Sequence, residues 1–339
     1  MSNSNDRRHF LKLAALGTIG AGISASGFAA APFRSKAGPK VGIIGLDTSH
    51  CEAFTKVLND PNATEEFSGF PVTVAYPFGS RKIKSSADRI PQVTENMKKL
   101  GVRIAGSIDE LLKEVDFVLL ETNDGNLHLE QAMKVINAGK PMFIDKPVAA
   151  NFKDTLAIYA AAKSKKVPLF SSSSLRFTPV IQELAKGKIG KLTGADTYTP
   201  CHLEPSHADL YWYGVHGVET LFTLLGPGCR EVVRSGNEST DVVTGIWNDG
   251  RIGTFRGLRS GKEDYGATAY GEQAIEHVPA YGGYEPLVKE IVQFFRTGNV
   301  PVKAEETIEI YAFMEAADES KRLGGKPVLM SSIMKKYSR

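Results

Sequence analysis

Short apolar runs alternate with amphipathic stretches through the first half of the chain. Each run ends in glycine or polar residues, as buried strands of a parallel sheet do. The predicted strands are Val41–Gly45, Phe70–Tyr76, Val102–Ala105, Asp116–Leu120, Met142–Ile144 and Val167–Phe170. The stretches that predict helices between them are about residues 50–58, Ser85–Leu100, Ser107–Glu114, Leu129–Ala138 and Phe152–Lys165. The alternation up to Ile144 predicts an α/β domain with a doubly wound parallel sheet, and the helix and strand that follow it are assigned to the next domain.

The second half has a different pattern, in which apolar and polar residues alternate with the period of a half-buried strand. Asn248-Asp249-Gly250 between two of these runs predicts a hairpin turn. Val180–Lys186, Leu287–Arg296 and Glu305–Arg322 predict helices. The predicted strands are the run that ends at Thr199, Glu231–Arg234, Asp241–Trp247, Arg251–Leu258 and Tyr265–Ala269.

Composition and charge add little to this picture. The chain has 339 residues, 42% of them apolar and 23% charged, with a formal net charge of +3. That length is enough for two domains with a sizeable core. The first 31 residues hold three of the 41 basic and one of the 38 acidic residues, so the remainder is nearly neutral. We therefore expect neither nucleic acid nor a membrane surface as a partner.

The first residues predict an export signal and no part of the fold. Arg7 and Arg8 precede a mildly apolar stretch, Leu13–Ala31, which is rich in Gly, Ala and Ser. This pattern predicts twin-arginine export to the periplasm. The alternative is one membrane-anchoring helix, which the glycines and serines disfavour. Three cysteines make no disulfide framework, although one bridge can form.

The most informative segment joins the two halves. Pro141-Met142-Phe143-Ile144-Asp145-Lys146-Pro147 is a short buried strand followed by an acid, a lysine and a proline. Pro147 keeps Lys146 out of helical backbone angles. Ligands of open α/β sheets bind at the carboxyl ends of the strands, where this lysine stands. The alternative is a surface turn with a solvated lysine. A helix, a strand and Leu175-Arg176-Phe177-Thr178-Pro179 follow.

Strand, Asp-Lys-Pro, helix, strand and Arg-Phe-x-Pro in this order resemble the glucose-fructose oxidoreductase/inositol dehydrogenase/MocA family. Its members usually have Glu-Lys-Pro at this place, and the resemblance runs from Lys40 to the last helix. It implies a Rossmann-type first domain and an α+β second domain with a large open, mostly antiparallel sheet, through which members usually form oligomers. We expect an export signal and linker in residues 1–37, a dinucleotide-binding domain in 38–150 and a substrate and oligomerisation domain in 151–339. The closing helices would be free to pack back on the first domain.

Cofactor contacts are expected in three loops of the first domain. The glycine turn after the first strand is incomplete, because Asp47 and His50 replace the second and third glycines of the usual motif. A carboxylate at Asp47 would repel a pyrophosphate, so the dinucleotide sits differently, Asp47 points elsewhere, or the site binds something else. Plain capping of the helix is the alternative role for this turn. The candidate cofactor residues here are Gly45, Asp47, Thr48, Ser49 and His50.

The second strand lacks the acid that usually holds the adenosine ribose. Ser80, Arg81 and Lys82 stand there instead and slightly favour NADP over NAD, the alternative being a solvated basic loop. In the loop after the fourth strand, the resemblance implies that a threonine and a histidine lie near the nicotinamide. The candidate cofactor residues in this loop are Thr122, Asn123, Asn126 and His128. Lys146, after the fifth strand, is a further candidate. Glu121 and Asp124 make this loop unusually acidic, and His128 has helix capping as its alternative role.

The resemblance implies hydride transfer to or from a secondary alcohol. His216, in Gly214-Val215-His216, matches the family's histidine, but Trp212 occupies the place of the aspartate that usually precedes it by four residues. We expect His216 to act as the base and Lys146 to polarise the alcohol oxygen. The alternative is that the aromatic residues pack against the sheet and that His216 is a buried histidine of the core. The candidate substrate contacts are Asp145, Arg176, His202, Glu204, Trp212 and Tyr213.

Three other functions fit the same residues. A transient keto-sugar would permit NAD-dependent elimination or hydrolysis of a glycosidic bond. A cofactor-less sugar-binding protein would explain the damaged glycine turn, although binding alone has no need of Lys146 beside His216. A metal site in the segment 201–216 matches no known ligand spacing, so no metal is predicted. The metal-capable side chains of that segment are Cys201, His202, Glu204, His207, Asp209 and His216.

Overall fold

Six short strands of the first half pair side by side into one parallel sheet. A computed structural model describes residues 38–279 and 281–337, so the predicted export signal lies outside the described residues. Every strand of this sheet is short, and the central ones are buried on both faces. In chain order the strands are β1 (Val41–Ile44), β2 (Val72–Tyr76), β3 (Arg103–Ile104), β4 (Phe117–Leu120), β5 (Met142–Ile144) and β6 (Leu169–Ser171).

The strands lie in the order β3-β2-β1-β4-β5-β6, which is the order of a dinucleotide-binding Rossmann sheet. The predicted doubly wound parallel sheet is therefore confirmed. The predicted boundary at residue 150 cuts through this sheet, because β6 pairs with β5 and comes later in the chain. The boundary was placed too early because a sixth strand after a helix cannot be assigned to a sheet from its sequence alone.

Helices connect these strands, and side-chain caps start several of them. Asn151 accepts a hydrogen bond from the Asp154 amide (2.9 Å), and Ser107 accepts one from the Glu110 amide (3.1 Å). Such caps satisfy amides that the first helical turn leaves free. The helices are α1 (His50–Leu58), α2 (Lys84–Ala87), α3 (Ile90–Lys99), α4 (Ile108–Leu112), α5 (Gly125–Asn137) and α6 (Phe152–Lys165).

Two helices differ from the sequence prediction. The stretch Ser85–Leu100 forms two helices, because Pro91 is tolerated only in a first turn and a new helix starts just before it. Helix α5 begins at Gly125, four residues before the predicted start at Leu129. A Cβ on Gly125 would lie 2.7 Å from the backbone of Ala149, so this helix start needs a glycine, which is a poor helix former.

The second half forms a seven-stranded sheet in the order β12-β11-β7-β10-β9-β8-β13, in which only the β7–β10 pair is parallel. The predicted open, mostly antiparallel sheet is confirmed. Gly250, with φ +90°, closes the predicted hairpin. The last two strands of the following list were not predicted. The strands are β7 (Leu192–Pro200), β8 (Cys229–Gly236), β9 (Thr240–Trp247), β10 (Ile252–Leu258), β11 (Gly266–Gly271), β12 (Ile275–Pro279) and β13 (Val328–Leu329).

Helices of the second half pack on both sheets. Leu287, Val288 and Ile291 share a core with Val41 and Ile43 of β1, so a late helix covers one face of the first sheet. This is the packing expected for the closing helices. The elements are a 3₁₀ turn (Ser174–Phe177), α7 (Pro179–Ala185), α8 (Val215–Leu225), α9 (Glu285–Thr297), α10 (Ala304–Arg322) and α11 (Met330–Tyr337).

Two negative observations apply to residues 38–279 and 281–337. No helix in these ranges has the length and apolar character needed to span a bilayer. The three cysteines, Cys51, Cys201 and Cys229, are all buried and unbridged.

Candidate active site

The carboxyl ends of β1, β4 and β5 lie next to one another and bring polar residues from three parts of the chain to one edge. The amide of Glu121 donates to the carbonyl of Ile44 (2.8 Å), and that of Asp145 donates to the carbonyl of Leu120 (2.8 Å). These bonds continue the parallel ladder by one residue beyond each strand. The side chains that follow therefore start from fixed positions at the sheet edge where α/β proteins bind ligands.

Lys146 follows β5 on a tight turn with a cis peptide bond to Pro147. Its own amide donates to Oδ1 of Asp145 (2.9 Å), and the next amide, of Val148, donates to the hydroxyl of Tyr311 (2.6 Å). The ammonium group lies over the ring of Tyr213, 5.4 Å from its centre. Burial lowers the pKa of Lys146, and the nearby carboxylates oppose that effect. The turn thus holds one buried cation at the sheet edge.

His216 reaches the same place from the first turn of α8. Its Nδ1 lies 2.7 Å from Oγ of Ser173, which follows β6. Burial, together with the charge of Lys146, holds the pKa of His216 well below its ordinary value. The imidazole is therefore neutral near pH 7.

Lys146 and His216 line one cavity of about 310 Å³, whose walls carry five aromatic rings. The two side chains proposed for catalysis thus face a common space. Thr48, Ser49, His50, Asn123, Trp212 and Tyr213 are further sequence candidates in its wall, and His202 stands at its exposed rim. The aromatic residues are Trp212, Tyr213, Tyr265, Tyr281 and Tyr284.

A histidine and two carboxylates meet beside this cavity. Nδ1 of His50 lies 2.7 Å from Oδ2 of Asp145 and 4.0 Å from Oε2 of Glu121. Burial raises the pKa of Glu121 well above its ordinary value, and the charge of Asp145 adds to the effect. Burial works in the same direction on Asp145, but His50 and Lys146 together outweigh it, so the net pKa of Asp145 is lowered. Asp145 therefore holds His50 and the Lys146 turn.

The glycine turn after β1 fits one part of a dinucleotide site. Gly45 has φ +90°, and a Cβ there would lie 2.4 Å from Oγ1 of Thr122. The backbone can therefore pass close to the β4 loop only because this residue is glycine. Ser49 gives α1 no side-chain cap, and the His50 amide donates to Oγ1 of Thr48 (3.3 Å), so the amides after His50 are the ones left to meet an anion. Turn, helix and adjoining cavity together fit the phosphate and nicotinamide end of NAD(P).

Asp47 does not face that helix end. Its carboxylate is fully buried between two loops and accepts hydrogen bonds from the amides of Ser80 (2.9 Å) and Asn123 (3.1 Å). Burial raises its pKa, and the two amides oppose the rise. Of the three alternatives for this residue, the structure selects the one in which the side chain points elsewhere. Its expected contact with a cofactor is replaced by a structural role.

Ser80, which was expected to contact a cofactor phosphate, also has a structural role instead. It is buried, donates to Oδ2 of Asp124 (3.0 Å) and accepts from the amides of Lys82 and Ile83, so it has no free hydroxyl for a phosphate. Arg81 and Lys82, by contrast, line a second cavity of about 690 Å³ at the end of β2. This cavity has the position of an adenosine pocket in a Rossmann sheet.

His128 lies away from both cavities and is fully buried. Its two ring nitrogens face the carbonyl oxygens of Val148 (3.1 Å) and Thr122 (2.6 Å), and burial lowers its pKa. It joins the β4 loop to the Lys146 turn, which corrects its expected cofactor contact. Asn126 lines the larger cavity, and Oγ1 of Thr122 is buried beneath Gly45.

Two expected substrate contacts are wrong. Arg176 is buried in ion pairs with Glu219 (2.7 Å) and Glu306 (2.7 Å), so its charge is used inside the protein. Glu204 accepts from the amide and the hydroxyl of Ser206 in its own loop and lies outside both cavities. The sequence alone does not distinguish an arginine that binds a substrate from one that forms ion pairs inside the protein, because its partners Glu219 and Glu306 are far away in the chain.

The structure also brings in residues that the sequence analysis did not select. Ser173, Tyr265 and the neighbouring pair Tyr281 and Tyr284 come from three separate segments, and no local pattern singles them out. Glu121 had one sequence signal, the unusual acidity of its loop. The metal-capable residues of segment 201–216 are not brought together: in the part of the chain that the structure describes, His50, Glu121 and Asp145 form the only such group.

Fold and site together define a class: a nucleotide-binding Rossmann sheet joined to an open sheet, with a lysine and a histidine from the two halves facing one cavity. Residues 39–173 match the family model described as oxidoreductase family, NAD-binding Rossmann fold (Gfo/Idh/MocA). The matched residues run from just before β1 to just after β6, so the match covers the parallel sheet.

Two solved structures share the fold over most of both chains. A myo-inositol 2-dehydrogenase from Lactobacillus plantarum is 15% identical with a TM-score of 0.70, over 86% of this chain and 99% of that one. A scyllo-inositol dehydrogenase from Lactobacillus casei, solved with NAD(H) and scyllo-inositol, is 14% identical with a TM-score of 0.67, over 87% and 99%. At these identities the likeness extends to the fold alone.

Among curated relatives, 1,5-anhydro-D-fructose reductase from Ensifer adhaerens is 27% identical over 191 residues, which are 50% of this chain and 57% of the relative. The chain's matches to such relatives span between 18% and 58% of the relatives' own lengths.

Proposed function

We propose that this protein is an NAD(P)-dependent oxidoreductase that acts on a secondary alcohol of a sugar, glycoside or polyol. The observation that carries the proposal is the shared cavity of Lys146 and His216, at the carboxyl edge of a sheet with dinucleotide-binding strand order. The relatives named above, which act on inositols and on anhydrofructose, support the substrate class.

The chemistry divides between the cofactor and the two side chains. A bound nicotinamide would accept or return the hydride at carbon. His216 takes the proton from the alcohol oxygen, because its imidazole is neutral near pH 7. When Nδ1 carries the proton toward Ser173, Nε2 is left with the lone pair that a base needs. The ammonium of Lys146 donates to the same oxygen and stabilises its developing negative charge.

The cavity wall suits a sugar or cyclitol. Such molecules present apolar C–H faces and a belt of hydroxyl groups, which fit aromatic rings with polar tips. The ring of Tyr213 lies under the ammonium of Lys146 and contacts Trp212. Tyr265, Tyr281 and Tyr284 contact one another in a row and line the same cavity. The aromatic side chains would contact the apolar face of the sugar or cyclitol, and the polar groups of the cavity would bind its hydroxyl groups.

The first test is mass spectrometry of small molecules released from the denatured protein, followed by nicotinamide absorbance with a panel of cyclitols, sugars and glycosides. We expect a bound or binding nicotinamide nucleotide and turnover that Lys146→Gln lowers by about 100-fold or more. Lys153→Gln, on an exposed helix face, is the matched control. Glycoside cleavage without net nucleotide reduction would favour the transient keto-sugar route instead. Sugar binding without any nucleotide binding would overturn the proposal in favour of a binding protein.

We further propose a preference for NADP. Arg81 and Lys82 line the larger cavity, Lys134 lines it too, and the ribose-binding acid is absent from the end of β2. Since guanidinium groups pair well with phosphate, Arg81→Ala should weaken NADP binding about tenfold more than NAD binding. Titration calorimetry with both nucleotides measures this ratio, and equal losses would contradict the preference.

We also propose self-association through the open sheet. Tyr198 and Ile252 on that sheet are 39% and 52% exposed, and an exposed apolar sheet surface favours association. Light scattering of the wild type and of Ile252→Asp tests this. A monomeric wild type would contradict it.

A further inference from the structure

The group formed by His50, Glu121 and Asp145 has an arrangement that hydride transfer does not require. One atom from each side chain lies within 4.8 Å of the other two. Glu121 and Asp145 directly follow β4 and β5, and His50 begins α1 at the end of the loop after β1, so neighbouring strands of one sheet position all three. His50 also lines the cavity that holds Lys146 and His216. The group is therefore a rigid wall of the candidate active site.

Among the three residues, Glu121 is the one whose burial no contact in the described structure explains. Its side chain is fully buried, and neither carboxylate oxygen has a hydrogen-bond partner among the described residues. The charge of Lys146 acts on Glu121 from a distance, but within the described chain Lys146 forms no ion pair inside 4.0 Å, so Glu121 has no direct cation partner there. A buried carboxylate without a hydrogen bond or a close cation costs several kcal/mol. A protonated carboxyl group would leave its own buried proton without an acceptor.

We propose that His50, Glu121 and Asp145 bind one divalent transition-metal ion, Zn²⁺ or Mn²⁺. One imidazole and two carboxylates are a suitable ligand set for these ions. At bond lengths of about 2.0–2.2 Å, tetrahedral ligand atoms stand about 3.4 Å apart. The observed separations of 2.7 Å and 4.0 Å lie on either side of that value. Small side-chain shifts would therefore complete the site.

Three protein ligands leave a coordination position free. His50 lines the cavity, while its Nδ1 and both acids are buried, so an ion held by the three ligands would fix the His50 ring in the cavity wall. Metal binding stands on the three ligands alone and does not depend on the proposed hydride transfer.

The test is metal binding by the full chain, stripped with a chelator and kept free of nucleotide. Calorimetry with ZnCl₂ and with MnCl₂ should give one equivalent per chain for at least one ion and raise the melting temperature. Glu121→Gln keeps the side-chain shape and removes one ligand, so the affinity should fall by at least tenfold. Glu263→Gln is the matched control, because it alters another carboxylate–imidazole pair, with His202 at the cavity rim, and should bind like wild type.

Cobalt(II) supplies a second readout that does not rest on stability. Co²⁺ bound by these ligands should give visible absorption bands in wild type and Glu263→Gln that are lost in Glu121→Gln. Absence of stoichiometric binding in wild type, or equal binding in Glu121→Gln, would overturn the site. Nucleotide binding is measured on the same samples without metal, so a failed metal site and a failed oxidoreductase are told apart.

Discussion

Burial lowers the pKa of both Lys146 and His216, with opposite consequences for their use near pH 7. A lysine starts from about 10.4, so a lower pKa brings it toward neutral pH and makes it a better proton donor. A histidine starts from about 6.5, so a lower pKa takes it further below neutrality and keeps it unprotonated. The same burial thus prepares one residue to donate and the other to accept. In Asp47, burial instead raises the pKa of a carboxylate, and two backbone amides that donate to it oppose the rise.

The first residue-scale prediction is the pH dependence of His216. The neutral imidazole is the active base, so oxidation should continue below pH 6.5 and decline only as pH falls through the lowered pKa. Profiles of kcat/KM against pH should show an acid limb in wild type that His216→Gln removes, with kcat about 100-fold lower. An acid limb retained in this variant would assign the proton to another group.

His216 should affect folding stability in the same pH range. Its folded-state pKa lies below the unfolded value, so the unfolded chain binds the extra proton first as pH falls. Stability contributed by the neutral ring is therefore full above about pH 6.5 and is lost below it. Denaturation of wild type and His216→Gln across pH 5–8 should show a smaller decline for the variant.

The second residue-scale prediction concerns Gly45. An alanine there would hold a left-handed backbone angle and a Cβ 2.4 Å from Thr122, so Gly45→Ala should lower the free energy of unfolding by about 2–4 kcal/mol. Gly139→Ala is the control, because Gly139 has φ +70° with open space around it and should cost only about 1–2 kcal/mol. Urea denaturation compares the two, and equal losses would refute a close approach at Gly45.

At the scale of elements, buried ion pairs and hydroxyl groups hold the site together. Arg176 in the 3₁₀ turn bonds Glu219 of α8 and Glu306 of α10. Tyr311 of α10 accepts from the Val148 amide beside the Lys146 turn. Helices of the second half thereby fix both the segment that carries Ser173 and the turn that carries Lys146. The positions of the two catalytic candidates depend on these links.

The element-scale prediction follows from Arg176. Arg176→Met removes one charge and leaves the buried Glu219 and the half-buried Glu306 without their cation, so it should destabilise the protein by about 3–5 kcal/mol. The exposed Arg230→Met should change stability by no more than about 0.5 kcal/mol. Guanidinium denaturation of both variants measures the difference. A stable Arg176→Met protein with weakened substrate binding would restore its expected role as a substrate contact.

At the scale of the whole molecule, loops at the carboxyl edge of the parallel sheet and segments of the second half line a single cavity. Lys146 follows β5 and His216 lies in α8, so the cavity exists only when the two halves are joined. Where the enzyme works is a separate property, which we propose is set by the leader: a twin-arginine signal would carry the folded protein to the periplasm.

The whole-molecule prediction is export. Changing Arg7 and Arg8 together to lysine should keep the protein in the cytoplasm, because the export machinery reads the arginine pair, while folding is unaffected. Fractionation of cells that express each form, with immunodetection in the periplasm, measures this. A periplasmic Arg7→Lys/Arg8→Lys protein would contradict the twin-arginine route, and wild type retained in the membrane would indicate an anchor.

The sequence by itself determined the parallel sheet, most strand and helix positions and Lys146 with its turn, because hydrophobic period, glycine and proline act locally. It also indicated His216 through a resemblance. Only the tertiary structure decided which polar residues meet: it took Arg176 and His128 into the interior, turned Asp47 away from the helix end and placed Glu121 beside His50. Contacts between residues far apart in sequence depend on sheet order and helix packing, and no local pattern contains that information. The same reason explains why the sixth strand was assigned to the wrong side of the domain boundary.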